Sequence, residues 1–183
     1  PTKMAKSSLP RARRKPPLPD VPQPPAASGR GFIWPVKGRV VSSFGAKAKG
    51  LRNDGINIAA KRGAPVKAAE KGVVADAGNE LRGFGNLLLI KHAGGWVTAY
   101  AHNDTVLVKR GQRVGKGQQI ATVGSTGSVK IPQLHFEMRR GRTPRDPRKY
   151  LRTIRWGFPI TPAAPARRGK PSVQRLAQSP GQV

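Results

Sequence analysis

Two short stretches of the sequence place polar side chains where a catalytic centre could form. In "QLH", residues 133 to 135, an extended strand points Gln133 and His135 to one face. His102, in "YAHND", is a second imidazole that could join them. The chemistry to consider is zinc-assisted hydrolysis, which needs about three strong ligands and one open position for an activated water.

The second stretch is "NDGIN", residues 53 to 57. Alternation puts Asn53 and Asn57 on one face, but four extended residues span roughly 13 Å, too far for one small site unless the chain bends. Gly55 permits such a bend, and Asp54 beside it is typical of a turn former rather than a base. We therefore expect both amides to face the same cleft as the residues at 133 and 135.

The elements that must position these side chains are short β-rich runs separated by glycine. They predict an all-β fold, an antiparallel sheet or sandwich, with helix expected only in "PRKYL", residues 147 to 151. The run 108 to 124 has the Gly turns of lipoyl and biotinyl carriers, but it shows no hairpin with a lone tip lysine, so we expect no prosthetic group. The runs are "GRVVSSFG", "GINIAA", "APVKAA", "GVVADAG", "NLLLIKHA", "GWVTAYAH", "QQIATVGS" and "QLHFEMRR".

Composition divides the 183 residues into three parts. Residues 1–30 are rich in Pro, Ser and basic residues and are predicted to be a disordered linker. Residues 153–183 have the same Pro, Ala and Arg character and are predicted to be a disordered tail, in which "WGF" at 156–158 could dock locally. One domain is expected over 31–152. The chain begins with Pro and contains no apolar run long enough for a membrane span, so we interpret it as a piece of a longer protein.

The net charge of +27 is shared unevenly among these parts. By count, residues 1–30 carry +6, residues 153–183 carry +5, and the middle carries +16 from 23 basic and 7 acidic residues. Such a positive field favours a polyanionic environment, which could be nucleic acid, an anionic membrane or the anionic polymers of a bacterial envelope.

The middle of the chain resembles a LytM domain, the lysostaphin-type zinc endopeptidase fold with a duplicated hybrid motif. The resemblance covers about 120 residues, from Phe32 to Leu151, and includes "GINIAAKRGAPVKAAEKGVV", "GFGNLLLIKH", "YAHND", "GQRVGKGQQIATVGSTG" and "LHFEMR" with "DPRKYL". It implies that active members carry a metal-binding His and Asp at the places of Asn53 and Asn57. It also implies a catalytic His at Gln133, a ligand His at His135 and a second catalytic His at His102.

Against that pattern, two of three metal ligands and one of two catalytic histidines are missing, and His102 and His135 remain. A neutral amide is a poor zinc ligand, and one imidazole is far short of a site. The five positions are then vestigial: Asn53, Asn57, His102, Gln133 and His135. We expect no metal, no cofactor and no peptidase activity.

Degenerate LytM domains of the NlpD, EnvC and DipM cell-division type are regulators, so the resemblance implies a groove that binds and activates a cell-wall hydrolase. The expected partner is an N-acetylmuramoyl-L-alanine amidase, met in the periplasm or cell envelope at the division septum. Peptidoglycan is a second expected ligand, and a missing upstream segment would tether the protein. The predicted groove residues are Asn53, Phe84, His102, His135 and Arg139.

Three alternatives stay open from the sequence. The domain could be a peptidoglycan-binding module without an activator role, or a residual zinc endopeptidase with an unorthodox metal set. A nucleic-acid role is the weakest, because the middle of the chain contains no recognisable nucleic-acid module.

Overall fold

The computed structural model describes residues 20–152. Fourteen strands lie within this part of the chain, and no helix there is long and apolar enough to cross a membrane. The strands are β1 (Phe32–Ile33), β2 (Arg39–Ser42), β3 (Gly45–Ala46), β4 (Arg52–Asn53), β5 (Gly55–Ala59), β6 (Pro65–Lys67), β7 (Gly72–Gly78), β8 (Asn86–Lys91), β9 (Trp96–Val106), β10 (Arg113–Val114), β11 (Gln119–Val123), β12 (Gln133–Arg140), β13 (Thr143–Arg145) and β14 (Leu151–Arg152).

One antiparallel sheet organises the domain, in the order β10-β7-β8-β9-β12-β5-β2. Strands β6, β11 and β13 attach to it, with β11 bridging β6 and β9. All eight β-rich runs of the sequence contain one of these strands, so the predicted antiparallel fold is confirmed. The expected helix is a single 3-10 turn at Pro147–Lys149, capped by the Asp146 side chain, because the next residues pair as β14 with β1.

The short strands β1, β3, β4, β10, β13 and β14 lie outside the predicted runs. Segments of two or three residues contain too little alternation to be detected in a sequence. The pairing of β1 with β14 is parallel and joins the two ends of the described chain, with Phe32 opposite Leu151.

The two faces of the sheet differ. Leu134 and Phe136 are fully buried in the main core, where Phe136 packs against Tyr100 at 5.3 Å between ring centroids. The opposite face carries a smaller apolar cluster built on Leu87, with Ala99 and Ala101. Strand alternation thus separates a packed core from a second, shallower face, as the pattern of β12 predicts.

The boundaries of the domain at residues 31 and 152 stay a prediction. On the linker side of the first boundary, Ser28 is already tied to the folded part, since its hydroxyl donates to Glu70 Oε2 at 2.6 Å. Residues 1–19 and 153–183, including the "WGF" segment expected to dock, lie outside the described residues.

Gly55 opens β5 where the chain turns between β4 and β5. Its φ is not in the left-handed region, so a positive φ is not what requires glycine here. The requirement is close approach: a Cβ at Gly55 would lie 2.3 Å from the Phe136 carbonyl oxygen and 2.9 Å from Glu137 Cγ. The β5 backbone therefore lies against β12 in a way that only glycine permits.

Replacing Gly55 by alanine should lower the free energy of unfolding by about 1–3 kcal/mol, because the added methyl forces β5 away from β12. Gly78→Ala is the matched control, since Gly78 also lies in a strand and a Cβ there would meet nothing within 4 Å. Urea unfolding of both variants measures the difference. Equal stabilities for the two would show that close approach at Gly55 does not matter.

Candidate functional site

The predicted site residues come together at one end of β5, β9 and β12. His135 on β12 lies directly opposite Asn57 on β5 and Ala101 on β9. Asn53, at the end of β4, reaches the same place because the chain turns before β5: its Nδ2 lies 2.9 Å from Asn57 Oδ1. The expected bend between the two asparagines is therefore present.

The three amides form a continuous line of hydrogen bonds, which we call the amide chain (Asn53, Asn57, Gln133). Asn53 Nδ2 donates to Asn57 Oδ1, and Asn57 Nδ2 donates to Gln133 Oε1 at 2.9 Å. Asn53 Nδ2 also donates to Ser42 Oγ at 2.9 Å. The amides that replace imidazole and carboxylate thus bind one another across β4, β5 and β12.

Backbone groups at both ends fix the direction of the amide chain. The Gly55 N–H donates to Asn53 Oδ1 at 3.0 Å, so the Asn53 nitrogen must point onward. At the other end, Gln133 Nε2 donates to the Ile131 carbonyl oxygen at 3.3 Å. Since an N–H cannot accept and a carbonyl cannot donate, the oxygen and nitrogen of each amide between them are determined.

This direction determines what His135 faces. Asn57 presents its oxygen to His135 Nδ1 at 3.1 Å, and Glu137 Oε1 lies 3.0 Å from His135 Nε2. Both partners are oxygen atoms, so each nitrogen of the His135 ring lies within hydrogen-bond distance of a side chain of the protein itself. Neither ring nitrogen faces an open position.

Glu137 is the acidic member of this group, and it is buried with 5 % exposure. Burial raises the pKa of its carboxyl, but hydrogen bonds from His135 and Arg139 and their charges lower it, and the net pKa is below its ordinary value. Arg139 Nε donates to Glu137 Oε2 at 2.8 Å, and its Nη2 lies 3.6 Å from Asp54. The guanidinium predicted to grip a partner is therefore already paired with two carboxylates.

His102 lies beside His135, with 6.1 Å between ring centroids. Its φ of 64° is in the left-handed region, which is strained for a residue with a side chain. Its Nδ1 carries a hydrogen that it donates to the Thr126 carbonyl at 2.9 Å. Burial lowers the pKa of His102, the neighbouring His135 lowers it further, and the Thr126 hydrogen bond opposes them.

An apolar strip lies beside the amide chain. The half-buried Phe84 ring contacts the His135 ring at 5.7 Å between centroids and packs on Leu87 and Ala101. It is held in a 3-10 turn at Arg82–Phe84, which rests on the 126–128 loop through the Ser128 N–H to Gly83 carbonyl bond of 3.1 Å. The five predicted groove residues are thus connected by side-chain contacts through Asn57 and Glu137, and His102 and His135 are only 6 % and 8 % exposed. That they form a partner-binding groove stays a prediction.

Sequence reasoning missed Glu137 and Ser42. Glu137 could have been found, since it lies two residues after His135 on the same strand face. Ser42 left no signal, because its hydrogen bond to Asn53 depends on how the β3–β4 hairpin returns toward β2.

The donor set at this site does not fit zinc. Among the described residues no group of three or more His, Cys, Asp or Glu side chains is placed to hold a metal. At the three implied ligand positions there are two neutral amides and a single imidazole, whereas zinc takes imidazole nitrogen, thiolate sulfur or carboxylate oxygen ligands.

Comparison with known proteins agrees with the sequence resemblance. The sequence profile of Peptidase family M23 matches residues 51–147, more than half of the chain. The chain is 55 % identical over 124 residues to the cell division protein DipM of Caulobacter vibrioides, covering 67 % of this chain and 20 % of that protein. It is 48 % identical over 118 residues to the murein hydrolase activator NlpD of Escherichia coli, covering 64 % and 30 %. The chain thus spans less than a third of these two relatives.

Solved structures show the same fold. A zinc-containing peptidase from Vibrio cholerae superposes with a TM-score of 0.59 at 35 % identity, covering 64 % of this chain and 39 % of that one. The catalytic domain of lysostaphin from Staphylococcus simulans superposes with a TM-score of 0.54 at 30 % identity, covering 62 % and 90 %.

Restoring the implied ligands should create a zinc site. The double variant Asn53→His and Asn57→Asp supplies an imidazole and a carboxylate beside His135, the third implied ligand. We expect it to bind zinc in a competition titration with a chromophoric chelator, while the unaltered chain does not compete. Adding His135→Ala to the double variant should abolish the gain. Stoichiometric zinc in the unaltered chain would contradict this account of the amide chain.

Proposed function

The chain belongs to Peptidase family M23, and we propose that it keeps the fold of these peptidases without their reaction. The observation that carries the proposal is the amide chain. It occupies two of the three implied ligand positions, its members hydrogen-bond to one another, and its Asn57 oxygen lies against His135 at the third. Without a bound metal a peptidase of this type has neither an activated water nor a Lewis acid for the scissile carbonyl.

We further propose that the cleft binds and activates a cell-wall hydrolase. Support comes from the relatives, one named a murein hydrolase activator and another a cell division protein. The expected partner is an N-acetylmuramoyl-L-alanine amidase, and the expected place is the envelope at the division septum. Because the chain spans only part of each relative, the partner and the location are proposed for this domain alone.

The cleft offers a mixture suited to a protein segment. Phe84 supplies a half-exposed aromatic face, the amide chain supplies polar groups beside it, and exposed Arg82 lies in the same 3-10 turn as Phe84. An amphipathic helix with an apolar anchor and an acidic side would match this arrangement. The Arg139 guanidinium is less available to a partner than the sequence predicts, because it is paired with Glu137 and Asp54.

Release of dye from labelled sacculi tests the activity directly. Each candidate amidase is assayed by itself and together with the 183-residue chain. The chain is also assayed by itself. We expect the amidase rate to rise and the chain alone to release nothing. Cleavage of crosslinks by the chain alone would support a residual endopeptidase. Cosedimentation with sacculi without any stimulation would support a peptidoglycan-binding module instead.

Phe84→Ala tests the placement of the partner. Truncating an aromatic anchor at the centre of an interface should lower stimulation roughly tenfold or more. Arg139→Glu is a less clear test, because it would put a third carboxylate beside Glu137 and Asp54 and disturb the site itself.

The matched control is Tyr150→Ala, an exposed aromatic residue that packs on Trp96 at the far end of β9. The Tyr150→Ala variant should raise the amidase rate as much as the unaltered chain does. Melting temperatures of both variants exclude unfolding as the cause, and equal stimulation by Phe84→Ala and the unaltered chain would place the partner elsewhere.

A further inference from the structure

A second charged surface lies at the end of the sheet opposite the cleft. We call it the basic end; its members are all exposed and come from the β12–β13 hairpin, the 3-10 turn and β14: Arg140, Arg142, Arg145, Arg148, Lys149 and Arg152. On β12, Arg140 follows Arg139 directly but points to the opposite face of the strand, and it is seven residues from Gln133, which corresponds to roughly 23 Å of strand. A partner in the cleft would leave the basic end uncovered.

Little acidic charge offsets these six residues. Asp146 lies among them, but its side chain accepts from the Arg148 N–H and its Oδ2 lies 3.5 Å from the Arg148 guanidinium. Glu70, at the neighbouring end of β7, is 3 % exposed and paired with Lys116 at 3.2 Å. The remaining cations project into solvent, where repulsion among them costs stability unless an anionic surface is near.

The first and last strands of the described chain meet at this end. The parallel pair β1 and β14 places Phe32 opposite Leu151. Phe32 also contacts the Trp96 ring at 5.4 Å between centroids, next to Arg140. The basic end is therefore backed by paired strands and packed aromatic rings.

The aromatic group here is not arranged for a sugar. Trp96 is half-buried, with Phe32 and Tyr150 against it at 5.4 and 4.8 Å and the Arg140 guanidinium over its ring at 5.9 Å. A glycan needs an open ring face to stack on, and these contacts use the ring. What the surface presents outward is a group of guanidinium and ammonium ions on projecting turns, with Tyr150 at its edge.

We propose that the basic end binds the phosphate groups of an anionic lipid membrane. A group of four to eight Lys and Arg residues is the usual requirement for attraction to such a surface. A planar surface can also contact the projecting hairpin, the 3-10 turn and β14 at once, from which the six cations come. The protein would then lie with its basic end on the membrane and its cleft directed away, open to a soluble partner.

Vesicle cosedimentation of the full 183-residue chain tests this proposal. Vesicles of phosphatidylcholine with phosphatidylglycerol are compared with phosphatidylcholine alone, each at low and high salt. The test variant reverses the hairpin charges (Arg140→Glu, Arg142→Glu, Arg145→Glu). The control reverses three exposed residues at the β2 edge, with the same change in net charge (Lys37→Glu, Arg39→Glu, Lys61→Glu).

We expect the unaltered chain and the control to bind the anionic vesicles in a salt-sensitive way, and the hairpin variant to bind them roughly tenfold or more weakly. Equal losses in the two variants would mean that net charge alone attracts the protein, and no loss in the hairpin variant would mean that this surface is not used. If the hairpin variant loses binding to purified sacculi but not to vesicles, the ligand is the wall polymer, and the proposal is wrong.

Dye release with a soluble amidase separates this proposal from the activator function. The hairpin variant should stimulate fully, since none of its three residues belongs to the predicted groove. Loss of both vesicle binding and stimulation would show that the two surfaces are not independent, and so would contradict the proposal.

Discussion

The site depends on the fixed direction of one line of hydrogen bonds. An N–H of the backbone begins it at Gly55 and a backbone carbonyl ends it at Ile131, so the amides between them have only one orientation. In the zinc enzymes of the family the metal would join β4, β5 and β12 at these positions. Here the amide chain joins the same strands, with neutral hydrogen bonds that contribute about 0.5–1.5 kcal/mol each. The scaffold can therefore keep the shape of the cleft without an ion.

The same line of hydrogen bonds reaches well beyond the amides. It presents the Asn57 oxygen to one nitrogen of the His135 ring, and Glu137 lies against the other nitrogen. Glu137 in turn holds Arg139, which approaches Asp54 at the turn before β5. A closed set of contacts results, in which the charged groups satisfy one another and the half-exposed apolar face of Phe84 remains available. This explains why the floor of the cleft is polar but not strongly charged.

The sequence predicts the long elements well and the contacts within the site poorly. Alternation in "QLHFEMRR" correctly separated buried Leu134 and Phe136 from Gln133 and His135, because a strand has only two faces. The sequence predicts a bend at Gly55, whereas the structure adds a close approach to Phe136 that depends on strand spacing. The pairing of Arg139 with Asp54 could not be foreseen, since it requires the β4–β5 turn to return beside β12. One-turn helices and two-residue strands were missed for a simpler reason: they have no periodicity.

The polarity of the cleft is itself an argument for recognition. If the only requirement after losing a metal were stability, apolar residues of similar size would serve as well, because replacing a buried polar group together with its partner by apolar groups costs little or stabilises. The chain instead keeps three amides, two imidazoles and a buried carboxylate, and it keeps His102 in a strained conformation. Each of these groups needs a partner of defined geometry, and a single mismatch would leave a buried polar atom without a hydrogen bond. A surface with so many constraints presents one fixed pattern of donors and acceptors beside an aromatic face, which is what a docking site for a specific protein segment requires.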